Sequence, residues 1–296
     1  MPHCSGIQRS GKSAGPTRAE SKDYRKILYY SVCSTLALLF SLPLVWSFIT
    51  SLKTPADANA SPPNLIPSSI TVDNYAHLLG YGDGILHYFA NSLLVAVLTV
   101  VGVVLLSTLA GYGFSRFNFR AKNFLFLVIL VTLMIPFQSI LTPLFLVLRV
   151  LNLQNTLVGL ALVNTTFQLP FSVFMMRNSF DSIPRDLDNA AAIDGCDSRT
   201  LLTQILLPVV IPGVITVGLF AFLASWNEFL AALIFLTDAD KYTLPVMLLN
   251  AQSGYLGTVD WGLMQAGIFI SVLPCAILFL LLQRYYISGL IAGSTM

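Results

Sequence analysis

Six long apolar runs separated by polar stretches organise the chain. They cover approximately 27–51, 88–114, 122–148, 156–176, 209–236 and 263–283, and each holds at most one formal charge. A helix rises about 1.5 Å per residue, so roughly 20 mainly apolar residues cross the hydrocarbon of a bilayer. Every run meets that length. The pattern predicts an all-α integral membrane protein with six transmembrane helices. In the third run, Pro136 and Pro143 predict a kink, or an end near Pro143, because proline removes a backbone donor. The intervening 52–86 is rich in Pro, Asn and Ser, carries Asp57, Asp73 and Asp83, and reads as a loop. Residues 1–26 read as a polar, disordered tail ahead of a six-span domain over 27–296.

Composition agrees with this pattern. Of 296 residues, 55% are hydrophobic and only 10% charged, and the mean hydropathy is +0.76. That charge cannot cover the surface of a soluble enzyme, whose domains average about 25% charged residues. A net charge of +2 is too small for a nucleic-acid partner. Cys4, Cys33, Cys196 and Cys275 share no spacing that suggests a metal site or disulfide framework.

The basic residues set an orientation. Arg9, Lys12, Arg18, Lys22, Arg25 and Lys26 precede the first run; Arg116, Arg120 and Lys122 follow the second; Arg177, Arg185 and Arg199 follow the fourth; Arg284 follows the sixth. Those 13 fall on one side of a six-span topology and only Lys53, Arg149 and Lys241 on the other. The positive-inside rule then predicts cytoplasmic N and C termini. Ala56-Asp57-Ala58 and Ala58-Asn59-Ala60 could end a signal peptide, but an apolar stretch of about 25 residues exceeds the usual signal core. The first span is expected to be retained.

Gly6-Ile7-Gln8-Arg9-Ser10-Gly11-Lys12-Ser13 matches the phosphate-loop pattern letter for letter. That loop works only between a buried strand and a helix whose N-terminus faces the phosphates. Here five residues precede Gly6, and Ala14-Gly15-Pro16 follow Ser13. The match predicts no ATP site, and no catalytic or metal-ligating constellation stands elsewhere.

The most informative polar stretch lies between the fourth and fifth runs, in a loop of about 178–208. Pro184 suits a first helical turn with Ser182 as cap, and Leu187, Ala190, Ala191 and Asp194 follow at helical spacing. Gly195 suits a left-handed stop. Asp197 or Ser198 can cap a second helix with Leu201, Leu202 and Ile205 on its apolar face, and Pro208 and Pro212 mark the start of the fifth span. The result is a helix–turn–helix whose small residues let another backbone approach closely. Periodicity alone leaves two readings open: a docking surface for a partner, or an amphipathic hairpin lying on the membrane.

The spacing adds a resemblance. Asn189-Ala190-Ala191, then Gly195, then Ile205-Leu206-Leu207-Pro208 resembles the Glu-Ala-Ala signature of ABC importer permeases, with Asn189 where that family usually has Glu and Asp188 as a neighbouring acid. Ile183-Pro184, Ile193-Asp194-Gly195, Ser225-Trp226-Asn227-Glu228-Phe229 and Gln283-Arg284-Tyr285-Tyr286 with Gly289-Leu290 are similar to carbohydrate-uptake permeases that look like the smaller membrane subunit of the maltose importer. The resemblance covers about residue 30 to the end. It implies the type I importer permease fold and a bacterial inner-membrane location. It also implies that Asp188, Asn189, Ala190, Ala191, Asp194, Gly195, Ile205, Leu207 and Pro208 form a cytoplasmic coupling helix and its flank. The implied partners are a dimer of ATP-binding subunits that holds the ATP, a second homologous permease subunit and an extracytoplasmic sugar-binding protein. No cofactor is implied for this chain.

Polar groups inside the runs are the remaining candidates. Glu228 is the sole formal charge of the fifth run, with Asn227 beside it. A carboxylate at bilayer depth costs at least about 2.5 kcal/mol, so it is expected to face protein or water, as a gate or as a structural hydrogen-bond acceptor. Asn91, Asn164, Gln168 and Gln265 could line a sugar path, since carboxamides donate and accept, or could bond helix to helix. The expected function is a sugar-importer permease. The alternatives are an ion-coupled secondary carrier using Glu228, an importer for a non-sugar solute, and a non-transporting scaffold.

Overall fold

A computed structural model of the chain describes residues 18–251 and 259–293, with side chains from 26 to 283 within them. Gly6–Ser13 and the first part of the tail lie outside the described residues, as do the side chains of Arg284, Tyr285 and Tyr286. Two compact units are distinguished, 1–48 and 49–296. Most of helix α1 (Arg18–Ser51) belongs to the first, is apolar apart from Ser and Thr beyond Ile27, and contains Pro43. Its helix takes in 18–26, which polarity alone assigns to the tail.

The second unit opens with α2 (Pro55–Ala58) and α3 (Asp73–Gly80), so 52–86 is folded rather than a plain loop. Leu78 is buried in an apolar cluster with Tyr75 and Tyr81 beside it, and polar side chains tie the rest. Asn74 donates to the Ser51 and Lys53 carbonyls at 2.8 Å each, Lys53 donates to the Asn64 carbonyl at 2.6 Å, and Asp57 accepts from the amide and hydroxyl of Ser68.

Three long helices make the centre of this unit: α4 (Ile85–Arg116), α7 (Leu157–Asp181) and α10 (Leu207–Trp226). Their contact surface is Val103, Tyr112, Met176, Phe180, Leu206, Val210 and Val217, all buried. Gly111 explains how closely α4 meets α7, because a Cβ there would lie 2.6 Å from the Met176 Cβ and 2.9 Å from the Arg177 backbone nitrogen. Lipid tails are as apolar as leucine, so small residues and hydrogen bonds must hold helices together in a bilayer. Asn164 supplies one such bond to the Ser225 hydroxyl at 3.1 Å, and Ser225 lies 3.2 Å from the Thr99 hydroxyl, joining α7, α10 and α4 in mid-span.

Two apolar runs are interrupted, the third as its prolines predict and the fifth against expectation. The third becomes α5 (Lys122–Thr132), a short 3-10 turn at Phe137–Ile140 and α6 (Leu141–Val150), with α5 bent by 97° from the following segment. The break falls at Pro136, not Pro143, since Pro143 stands in the first turn of α6 where its missing N–H costs nothing. Five helices are long and apolar enough to cross a membrane, or six if this bent pair is one span. Hydrogen bonds decide for a broken span. Lys122 donates to the Ser115 carbonyl at one end of α4, whereas Asn155, just beyond α6, bonds Asp238 near the other end.

The fifth run is also interrupted. α10 ends at Trp226 and α11 (Leu230–Phe235) begins four residues later. Glu228 therefore stands in a break between helices, not on a continuous one. Beyond it come α12 (Leu244–Ala251) and α13 (Trp261–Gly293).

Candidate functional site

The loop after α7 folds as its spacing predicts, with changes of detail. α8 (Asp186–Ile193) is a two-turn helix ended by Gly195 at φ +79°, a left-handed conformation that costs a residue with a Cβ about 1–2 kcal/mol. Asp197 then caps a short helix, α9 (Ser198–Thr200), by accepting the Thr200 amide at 2.9 Å. Hydrogen bonds from the Thr200 hydroxyl and amide hold the Asp197 carboxyl below the ordinary carboxylate range. A wider π turn at Leu201–Leu206 leads into α10 without interruption at Pro208 or Pro212. Leu206 is buried against α4 and α7, with Leu201, Leu202 and Ile205 packed beside it. Ser182 does not cap α8. Its hydroxyl donates to the Ser179 carbonyl, so it finishes α7, and α8 starts from Arg185 with no side-chain cap.

The faces of α8 are sharply divided. Ala191 is the one buried residue of the helix and packs inward. Leu187, Asn189, Ala190, Ala192 and Ile193 are exposed, Ile193 at 86%. The small-residue face expected from spacing is thus split: Ala190 turns out and Ala191 in.

Asp188 also turns in. Its carboxylate pairs with the Arg116 guanidinium at 3.1 Å, with both side chains largely buried at 17% and 5% exposure. Asp188 therefore neutralises an arginine of its own chain. Arg116 donates to the Ile183 carbonyl at 3.1 Å, Arg185 donates to the carbonyls of Ser115 at 2.6 Å and Arg116 at 3.2 Å, and Ser115 donates to Asp181 at 2.6 Å. Tyr112 reaches the Ser198 carbonyl at 3.3 Å. The last turn of α4 thereby grips both flanks of α8. Composition marks Arg116 and Arg185 only as topology signals, and their pairing across distant segments has no local pattern that exposes it.

The other candidates lie elsewhere. Asn91 donates to the Asp240 and Tyr242 carbonyls at 2.8 and 3.1 Å, His87 lies 2.5 Å from the same Asp240 oxygen, and Ser92 accepts the Leu244 amide at 2.7 Å. These bonds tether 240–244 to the first turns of α4, opposite the α8 end. Asn164 is committed to Ser225. Gln168 is half-buried, and its side chain makes no hydrogen bond among the described residues. Asn227 is exposed and donates to the Leu223 carbonyl of its own helix, and Gln265 is half-buried on α13. Glu228 accepts the amides of Ala231 at 2.6 Å and Ala232 at 2.9 Å, so its carboxylate closes the N-terminus of α11. The structure brings Asp188 to α4 but does not gather the carboxamides into one cluster.

Comparison with known proteins follows the same lines. Residues 104–288 match the family described as binding-protein-dependent transport system inner membrane component. The chain is 36% identical over 269 residues to the sulfoquinovosyl glycerol transport system permease protein SmoH of Agrobacterium fabrum, covering 90% of this chain and 93% of that protein. It is 33% identical to the trehalose/maltose transport system permease protein MalG of Thermococcus litoralis, covering 91% and 96%. The crystal structure of a bacterial ABC transporter involved in the import of the acidic polysaccharide alginate shares the fold, with a TM-score of 0.76 at 22% identity over 92% of this chain and 100% of that one. The broken third span, the helix–turn–helix loop and the match over most of the helical unit converge: the chain belongs to the inner-membrane permease components of binding-protein-dependent ABC transport systems.

Proposed function

We propose that this permease imports a di- or oligosaccharide, or a related polyol, across the bacterial inner membrane, with both termini in the cytoplasm. α8 is its coupling helix. It docks into a dimer of separate ATP-binding subunits, while a second homologous permease completes the pathway and an extracytoplasmic binding protein delivers the sugar to the end that holds 240–244. The observation that carries this reading is the outward face of α8, where Leu187, Ala190, Ala192 and Ile193 stand exposed at the arginine-rich end of the bundle. Ile193, 86% exposed, and Leu187 and the two alanines give α8 an outward apolar face of the kind that marks an interaction site. The sugar class is supported by the saccharide names of the relatives and by carboxamides within the spans.

Gln168, Asn227 and Gln265 are the residues we assign to the wall of the path, since each presents a carboxamide away from full burial. Asn91 and Asn164 shape that wall indirectly through the bonds they already make. Asp194, Gly195, Ile205, Leu207 and Pro208 position the docking helix.

The test is to purify the chain with its co-expressed neighbours and measure maltose and trehalose uptake in proteoliposomes. ATP-dependent uptake supports the reading. Uptake that ignores ATP and collapses with the ion gradient sinks it. Gly195→Pro cannot adopt the left-handed turn, so it is expected to leave insertion intact while separating ATP hydrolysis from uptake.

A further inference from the structure

We propose that α4 is the transmission rod of the permease and that Arg116 is the positioning residue that attaches it to the coupling helix. The inference rests on the proposed role of α8, and it goes further by saying through which contact a movement of α8 reaches the far side.

Three observations carry it. The first is how α8 is held. Ala191 is the one buried residue of α8, and the ion pair from the helix to α4 is Asp188–Arg116 at 3.1 Å. A buried pair resists sliding, because separating its members leaves a desolvated charge without compensation. The bonds from Arg116 to Ile183 and from Arg185 to Ser115 and Arg116 fix the same turn of α4 from the other side of the loop. Displacement of α8 must therefore displace the end of α4.

The second is the stiffness of α4. The long helices α1, α7, α10 and α13 each contain an interior proline, at Pro43, Pro170, Pro212 and Pro274. α4 runs for 32 residues with none. Proline is a common cause of sharp kinks, so α4 is the helix of this set best built to move as one body.

The third is what the far end holds. From Arg116 back to Asn91 the helix extends about 37 Å at its normal rise. There His87, Asn91 and Ser92 grip the backbone of Asp240, Tyr242 and Leu244. A shift of α4 along its axis moves that segment without any chain of intervening side chains. The rod joins the ATPase-facing loop to the face where the binding protein would deliver its cargo.

The experiment uses the whole complex with its partner subunits. Arg116→Gln and Asp188→Asn are expected to retain ATP hydrolysis but lower maltose or trehalose taken up per ATP about fivefold or more. The double exchange Arg116→Asp with Asp188→Arg is expected to recover much of the loss, which independent roles for the two residues do not predict. A readout that needs no sugar uses spin labels at Leu86→Cys and Asp186→Cys, both exposed positions, with the four native cysteines replaced by alanine. Their separation is expected to stay constant on ATP binding in the otherwise wild-type complex and to change in Arg116→Gln. Unchanged uptake per ATP in both single variants, or a label separation that changes equally with and without Arg116, overturns the rod. Loss of subunit assembly in all three variants also overturns it, because the pair would then serve docking alone. A complex in which the otherwise wild-type chain shows no response to ATP would refute instead the proposed function.

Discussion

Two helix breaks, at 194–197 and at 227–229, solve one problem in different surroundings. In both, a helix ends and another starts within a few residues, and in both an acid accepts the first free amides of the new helix. The break at 194–197 is exposed. It turns through a glycine at φ +79° and uses one short bond to Asp197. The break at 227–229 has no residue in the left-handed region, since Asn227 has φ −90° and Phe229 −122°. It relies on Glu228, whose two oxygens take two amides beside buried Ala231, Ala232 and Phe235. In water, an uncapped helix end can bond solvent, so the turn's backbone decides. Beside buried Ala231, Ala232 and Phe235, the first amides of the new helix take their partner from the protein instead. The first break is thus a glycine problem, and the second is a carboxylate problem.

The sharpest way to break this contrast is Glu228→Ala. It leaves the amides of Ala231 and Ala232 unpaired, at a cost of about 2 kcal/mol or more. Glu228→Gln keeps one acceptor and is expected to lose about half as much. SDS-induced unfolding of the detergent-solubilised protein should rank wild type above Gln and Gln above Ala. Equal midpoints for all three would mean that α11 does not depend on its cap. Such a result would return Glu228 to the rank of a pathway residue.

Gly195→Ala probes the other side of the comparison. Nothing lies within 4 Å of a Cβ built there, so the expected loss of about 1 kcal/mol is purely conformational. Gly195→Asn should lose less, because asparagine tolerates the left-handed region. Hydrogen exchange of the α8 amides is the measurement, since the penalty is local. Protection that falls with Ala and is unchanged with Asn fits a backbone effect. Equal losses for both would instead mean a clash with something the turn packs against.

These breaks also mark how far the sequence could be read. Hydropathy located the long helices well, as with 156–176 against Leu157–Asp181 and 88–114 against Ile85–Arg116, because burial in lipid acts on every residue of a span. The turn at Gly195 and the cap at Asp197 were legible because each has a specific stereochemical cause. The end of α10 was not, since Trp226 to Phe235 contains neither glycine nor proline and its apolar character hides a break. A local signal does exist: an acid three residues before Ala231, set between two apolar runs, is the spacing of a helix cap. Pro143 misled for a related reason, since a proline in a first turn and a proline at a break look alike without the flanking geometry. The clamp around Arg116 was out of reach, as it joins segments whose contact depends on how α4 and α7 pack at Gly111.

The smallest effect belongs to the exposed cap and is visible as pH dependence. The Thr200 hydroxyl and amide hold the Asp197 carboxyl below its ordinary range in the folded protein. A depressed carboxylate contributes stability above the pKa of the unfolded chain and loses it as pH falls through the lower folded value. Protection of the Thr200 and Leu201 amides, corrected for intrinsic exchange, should therefore hold steady near neutrality and decline only in acid. Asp197→Asn can still cap but cannot titrate, so its protection should follow a flat line over the same range. Asp197→Ala should be low throughout. Because the carboxyl is open to solvent, added salt should shrink the difference. If the wild-type chain followed the same flat line in acid as Asp197→Asn, the Thr200 amide would be bonding something other than the carboxylate, and the likeness between the two breaks would fail at its exposed member.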